Sequence, residues 1–134
     1  LEKLYSDYGI PLGEAFQLRD DLLGVFGDSA ETGKPSGDDL REGKRTVLMA
    51  IATEGADKAQ LKLFEKYVGN PDLTADQISQ LQEAIIKTGA VAKVEKMISE
   101  FTDQALAVLN HSGLSPVGKN LLTAMASIAT KRST

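Results

Sequence analysis

The sequence predicts an all-α protein, an antiparallel bundle of helices joined by short loops. Apolar residues recur at spacings of three and four along most of the chain, and no stretch sustains the two-residue alternation of a strand. Gly, Pro and capping Ser or Thr fall between the periodic segments, where helices start and stop. At 134 residues the chain has the length of one domain with one core.

Leu1, Leu4, Tyr5 and Tyr8 open with helical spacing, and a second periodic stretch runs from Leu12 to Phe26. Gly9 and Pro11 between them are expected to kink or break the helix. From Gly27 to Gly43 the periodicity disappears and Gly, Pro, Ser, Asp and Lys dominate, which reads as a long loop of the kind that carries function or disorder. Thr46 to Ala52 reads as a short buried helix. Asp57 to Val68 reads as another, with Leu61, Phe64 and Tyr67 or Val68 inward, and Gly69, Asn70 and Pro71 stop it. Thr74 with Gln77 forms a capping box for a helix to about Lys87, with Ile78, Leu81 and Ile85 on one face. Beyond Gly89, the residues Val91, Val94, Ile98, Phe101, Ala105 and Val108 mark a long amphipathic helix that Gly113 ends. Ser115 and Pro116 then cap and open a last helix, with Val117, Leu121, Met125 and Ile128 inward.

Composition narrows the function classes. Fifteen Lys and Arg against 19 Asp and Glu give a net charge of -4, which offers no general attraction to nucleic acid or to an anionic membrane. The absence of cysteine excludes disulfides, thiolate metal sites and a cysteine nucleophile, and it suits the cytoplasm. No apolar run approaches the length of a membrane span.

The chemically informative segment runs from Gly13 to Asp28 and continues from Thr32 to Thr46. At about 100° per residue, Gly13, Gln17, Asp20, Asp21 and Gly24 share a stripe, opposite Leu12, Ala15, Phe16, Leu18, Leu22, Leu23 and Phe26. A solvated polar face would give the same pattern. Two features favour a ligand site instead. Glycines flank the carboxylates although each weakens a helix by about 1 kcal/mol. The following loop also gathers Lys34, Arg41, Lys44 and Arg45 beside Asp38, Asp39 and Glu42. Cations next to carboxylates suit a polyphosphate bridged by Mg²⁺, which takes hard oxygen ligands and only one or two carboxylates per ion.

Other motifs fail on inspection. Gly27 to Lys34 has five residues between its glycines where a P-loop has four, Pro35 in place of the metal-binding hydroxyl, and a helix before it. The acidic spacing does not form an EF-hand loop. His111, the single histidine, reads as part of a helix C-terminus, and the sequon at Asn110 is accidental.

Phe16-Gln17-Leu18-Arg19-Asp20-Asp21, with Thr32-Gly33-Lys34, Gly37-Asp38-Asp39 and Gly43-Lys44-Arg45-Thr46 downstream, resembles the second aspartate-rich region of trans-isoprenyl diphosphate synthases. The resemblance is strong from about Gly9 to Thr46, and beyond that the chain matches only in helical character and length. It implies an isoprenoid-synthase-type fold and Mg²⁺-dependent condensation of an allylic diphosphate with isopentenyl diphosphate, as in geranylgeranyl and farnesyl diphosphate synthases. It further implies a cytoplasmic enzyme that is a homodimer at full length. Residue by residue, Asp20 and Asp21 become the metal-binding carboxylates, with Asp20 favoured for direct ligation. Gln17 becomes a substrate contact, Lys34 and Lys44 become diphosphate ligands, and Asp39 orients metal-bound water, with Asp38 its substitute. Phe16 packs behind the site, or simply fills the core.

The sequence departs from the family pattern at Gly24, where a third acid usually stands, so one metal contact is expected to be lost or moved. The family's first aspartate-rich motif lies N-terminal to this region, and no counterpart is found in the sequence. The expectation is therefore that residues 1–134 are the C-terminal portion of a synthase, inactive alone and, with faces left uncovered, expected to self-associate, pair by swapping or retain the missing half as a separate piece. The competing reading is a non-catalytic binding or regulatory subunit of a prenyl synthase heteromer. A plain helical interaction domain is a third, and a terpene cyclase fits less well because of the Gly43-Lys44 pair.

Overall fold

The computed structural model describes residues 2–27, 37–110, 116, 118–120 and 123–124, and every element among them is helical. In chain order these are α1 (Glu2–Phe26), α2 (Asp38–Glu42), α3 (Val47–Glu54), α4 (Lys58–Tyr67), α5 (Ala75–Lys87) and α6 (Ala90–Asn110). The all-α expectation is met. Lys34, His111 and the expected cap at Ser115 lie outside the described residues.

Two local expectations are corrected. Of the kink or break expected at Gly9 and Pro11, the break does not occur, and α1 runs through both as one helix of 25 residues. Pro11 removes one intrahelical bond, but it is itself buried, and the burial of Ala15, Leu18, Leu22, Leu23 and Val25 farther along the helix outweighs the local preference. The stretch from Gly27 to Gly43 is also not loop throughout, because α2 occupies Asp38–Glu42. Five residues are too few to show a helical period. The signal lay instead in the bracketing glycines: Gly37 at φ 75° and Gly43 at φ 68° both adopt the left-handed conformation that glycine takes without penalty.

Elsewhere the caps were readable. Thr46 accepts from the Met49 N–H and starts α3. Thr74 and Gln77 form the reciprocal box that starts α5. Asp57 and Gln60 form a second such box at α4.

The described residues divide into two compact units, Leu1–Arg19 with Glu95–Thr134, and Asp20–Val94. In the second unit the largest fully enclosed side chains are Val25, Leu40, Leu48, Leu81, Ile85, Val94 and Asp21. Each aliphatic member stabilises the fold by about 1.5–3 kcal/mol through removal from water. Asp21 is the charged member of that company. In the first unit Ala15, Leu18, Ile98 and Ala105 are buried, and Phe101 and Val108 of the expected α6 stripe are half-buried, as is Val91 of that stripe in the second unit.

Candidate functional site

The C-terminal half of α1 is enclosed on more than one face. Leu18, Arg19, Asp21, Leu22, Leu23 and Val25 are all buried, which a simple two-sided helix would not allow. The polar stripe therefore splits. Gln17 is exposed, Asp20 and Gly24 are half-buried, and Asp21 is only 2% exposed. Phe16 is half-buried, between its two expected roles.

Asp21 has a definite task. Its Oδ2 accepts a hydrogen bond from the backbone N–H of Val47 at 3.2 Å. Val47 is the first residue of α3, so that N–H is one of the four a helix start leaves without an intrahelical partner. Thr46 satisfies the Met49 N–H and Asp21 that of Val47, and α3 has no acid of its own in its first turn. A carboxylate on α1 thus supplies the negative charge that a helix N-terminus favours.

Lys44 and Arg45 stand on the turn between α2 and α3, and both are exposed. The Lys44 backbone N–H donates to the Asp39 carbonyl at 3.0 Å, and the Gly69 N–H donates to the Leu40 carbonyl at 2.8 Å. Gly43 lies so near Gly69 that a Cβ on it would come within 2.9 Å of the Gly69 Cα. Arg41 is spent differently, with a long 3.4 Å bond from its guanidinium to the Leu73 carbonyl. At the other end of the segment Gln82 donates to the Val25 carbonyl at 2.6 Å, satisfying an acceptor at the close of α1.

The Asp39 side chain is buried, and its carboxylate lies directly against Gly24. The position where the family pattern carries a third acid is therefore filled by a carboxylate arriving from α2. Lys44, Arg45 and Thr46 also border a cavity of about 590 Å³ whose wall includes Leu61, Phe64 and Val68. Neither Asp20 nor Asp21 lines that cavity.

Arg19, a motif residue with no role expected from the sequence, makes a bidentate pair with Glu95, Nη1 to Oε1 at 2.7 Å and Nη2 to Oε2 at 2.9 Å. An arginine beside apolar neighbours inside a conspicuous acidic motif was the available signal, but its partner lies 76 residues away. No spacing rule reaches that far.

Among the described residues no group of three or more His, Asp or Glu stands close enough together to hold a metal ion. The arrangement nonetheless fits Mg²⁺ in its one-carboxylate mode. Asp20 is a hard oxygen donor with solvent access, and bound phosphate and water oxygens complete the octahedron in such sites. Asp21 and Asp39, both closed off by protein, fit direct ligation less well.

The described helices and the acidic segment together define an all-α protein built around a buried aspartate motif. Residues 1–85 match the polyprenyl synthetase family model, and the chain belongs to that family. It is 34% identical over 110 residues to the geranylfarnesyl diphosphate synthase of Aeropyrum pernix, covering 82% of this chain and 33% of that one. It is 33% identical over 133 residues to the octaprenyl diphosphate synthase of Escherichia coli, covering 98% of this chain and 40% of that one. Among solved structures it resembles the geranylgeranyl pyrophosphate synthase of Corynebacterium glutamicum complexed with isoprenyl diphosphate and magnesium. That match has a TM-score of 0.88 and 43% identity, covering 94% of this chain and 36% of that one. The chain spans about a third of the length of the first curated relatives it matches. None of its described helices is long and apolar enough to cross a membrane.

Proposed function

We propose that this chain is the C-terminal part of a Mg²⁺-dependent prenyltransferase that condenses an allylic diphosphate with isopentenyl diphosphate, and that it binds the diphosphate end of the allylic substrate. The observation that carries the reading is the bond from Asp21 to Val47, which fastens the aspartate pair of α1 to the turn bearing Lys44. Carboxylates and cations that the sequence separates by more than twenty residues thereby share one anchored frame within Asp20–Val94.

In that frame Asp20 offers the metal-facing carboxylate, and Lys44 offers a mobile ammonium to phosphate oxygens that metal leaves uncovered. Bound Mg²⁺ supplies Lewis-acid stabilisation of the departing diphosphate. Lys34 and Gln17 are assigned to the same substrate end, as diphosphate ligand and hydrogen-bonding contact, and Phe16 packs behind it. Asp39 braces the site from Gly24. Holding these groups ready before ionisation is the protein's contribution, because charge develops on the leaving group in the transition state.

The chain is proposed to be inactive alone, since it contributes one side of a two-sided clamp. Homodimeric assembly at full length and a cytoplasmic location belong to the same proposal. The test is calorimetric titration of the purified protein with inorganic pyrophosphate, with and without Mg²⁺. Binding that requires Mg²⁺ and is lost in Asp20→Ala supports the reading. Mg²⁺-independent or absent binding overturns it. Turnover of both prenyl substrates by the 134-residue chain, at the rate of an intact synthase, would overturn the inactivity clause.

A further inference from the structure

The geometry points to a division of labour within the aspartate pair: Asp21 is a positioning residue that acts through the Val47 N–H to fix the Lys44–Thr46 turn, while Asp20 faces the ligand. This inference rests on the diphosphate-binding reading above and sharpens it, because adjacent acids of one motif receive different tasks.

Four observations carry it. Asp21 is 2% exposed, whereas its neighbour Asp20 is half-buried and open to solvent. An Mg²⁺ ion with its waters and phosphate oxygens needs room around the coordinating oxygen, which an enclosed carboxylate does not give. One Asp21 oxygen is already engaged by the Val47 N–H. Val47 is 43% exposed, so little packing of its own fixes the point where the turn enters α3. Leu48, fully buried, anchors the helix body one residue later.

The Lys44 backbone is thus held from both directions. On its N-terminal side the Asp39 carbonyl receives its N–H, and three residues later the Asp21 carboxylate receives that of Val47. Removing the second hold lets the turn move and carries the lysine with it, without altering any group that touches phosphate.

The experiment compares Asp21→Ala, Asp21→Asn and Asp20→Asn in the purified protein. Asparagine at 21 keeps a carbonyl oxygen for the Val47 N–H but is a poor substitute for a metal-ligating carboxylate. Two readouts are taken: amide hydrogen exchange at Val47, and Mg²⁺-dependent affinity for inorganic pyrophosphate. Asp21→Ala is expected to speed Val47 exchange by about tenfold or more and weaken pyrophosphate binding by about tenfold. Asp21→Asn is expected to stay within about threefold of the parent in both. Asp20→Asn is expected to leave Val47 exchange unchanged and abolish the Mg²⁺ dependence.

Asp21→Asn losing Mg²⁺ dependence as Asp20→Asn does would overturn the inference and make Asp21 a ligand. Unchanged Val47 exchange in Asp21→Ala would overturn it equally. If Asp21→Ala does not fold, Asp21→Asn decides alone by the same two criteria. A parent protein that takes up no Mg²⁺–pyrophosphate sinks the diphosphate reading, and Val47 exchange still decides whether Asp21 holds the turn.

Discussion

The carboxylate of Asp39 sits against the Cα of Gly24, so that a Cβ built on Gly24 would overlap the Asp39 Oδ2 and Cγ and lie 2.9 Å from Oδ1. Gly24 is therefore a seat as well as a gap in the motif. Ala at 24 gains up to about 1 kcal/mol of helix preference, but it must displace a buried side chain, which costs typically about 1–3 kcal/mol. Gly24→Ala is expected to be net destabilising by about 1 kcal/mol. Gly24→Asp, which restores the usual motif letter, is expected to be worse because it adds bulk and a second carboxylate in the same place. Urea unfolding checks both. In the double variant Gly24→Ala with Asp39→Ala the two changes should couple favourably by at least about 0.5 kcal/mol. Strict additivity would show that the two positions do not share this space.

Arg19 and Glu95 give a second expectation. The Arg19 side chain is 7% exposed and that of Glu95 47%, so the pair is half in water and its electrostatic worth is reduced accordingly. Two parallel charge-assisted bonds still exceed one neutral bond. Glu95→Ala is expected to lower stability by about 1–2 kcal/mol. Arg19→Lys should recover little, because an ammonium cannot reproduce the two-pronged geometry. Urea midpoints measured at low and high salt check this, and a loss that vanishes in high salt would place the pair in the fully screened class.

Much of the fold was legible because helices announce themselves locally. The Thr74 and Gln77 box, the glycine stops and the inward residues Ile78, Leu81 and Ile85 are all local signals, and all three residues are buried. What escaped was decided by distance. Pro11 reads as a kink or a break, yet α1 continues through it, because packing outvotes propensity. The site was legible as a set of residue types, and the motif was sufficient to name the family before any geometry was known. Its wiring was not. Nothing in the local sequence says that Asp21 meets Val47, that Asp39 meets Gly24, or that Arg19 meets Glu95, since each partner lies on another element.

Gly43 joins stability to the proposed site. Its φ of 68° is strained for any side-chain-bearing residue, and a Cβ there would press on the Gly69 backbone, which has no flexible end to yield. Gly43→Ala is expected to destabilise by about 1–3 kcal/mol. It should also weaken Mg²⁺–pyrophosphate binding, because Lys44 is the next residue. Thermal melting and calorimetry on the same sample check the pair of effects. Gly69→Ala tests the contact from the other side: at φ 91° it is strained as well, but its Cβ would meet only the Gly43 Cα at 3.8 Å, an ordinary distance. The expected result is a loss of stability with a smaller loss of binding.

Asp20 and Lys44 should respond to Mg²⁺ in opposite ways, which separates a metal ligand from a phosphate ligand. Without metal, the Asp20 carboxylate repels pyrophosphate, so Asp20→Asn is expected to bind the free anion at least as well as the parent. With metal, the same variant loses the bridging charge and should show about tenfold weaker binding or none. Linkage makes the converse obligatory: whatever factor Mg²⁺ adds to pyrophosphate affinity, pyrophosphate adds to Mg²⁺ affinity, and Asp20→Asn must reduce both by the same factor. Lys44→Ala removes a cation, so it should weaken binding both with and without metal and leave the ratio between them nearly unchanged. Titrating each variant at two Mg²⁺ concentrations gives that ratio. A ratio that falls in Lys44→Ala and holds in Asp20→Asn would reverse the two assignments.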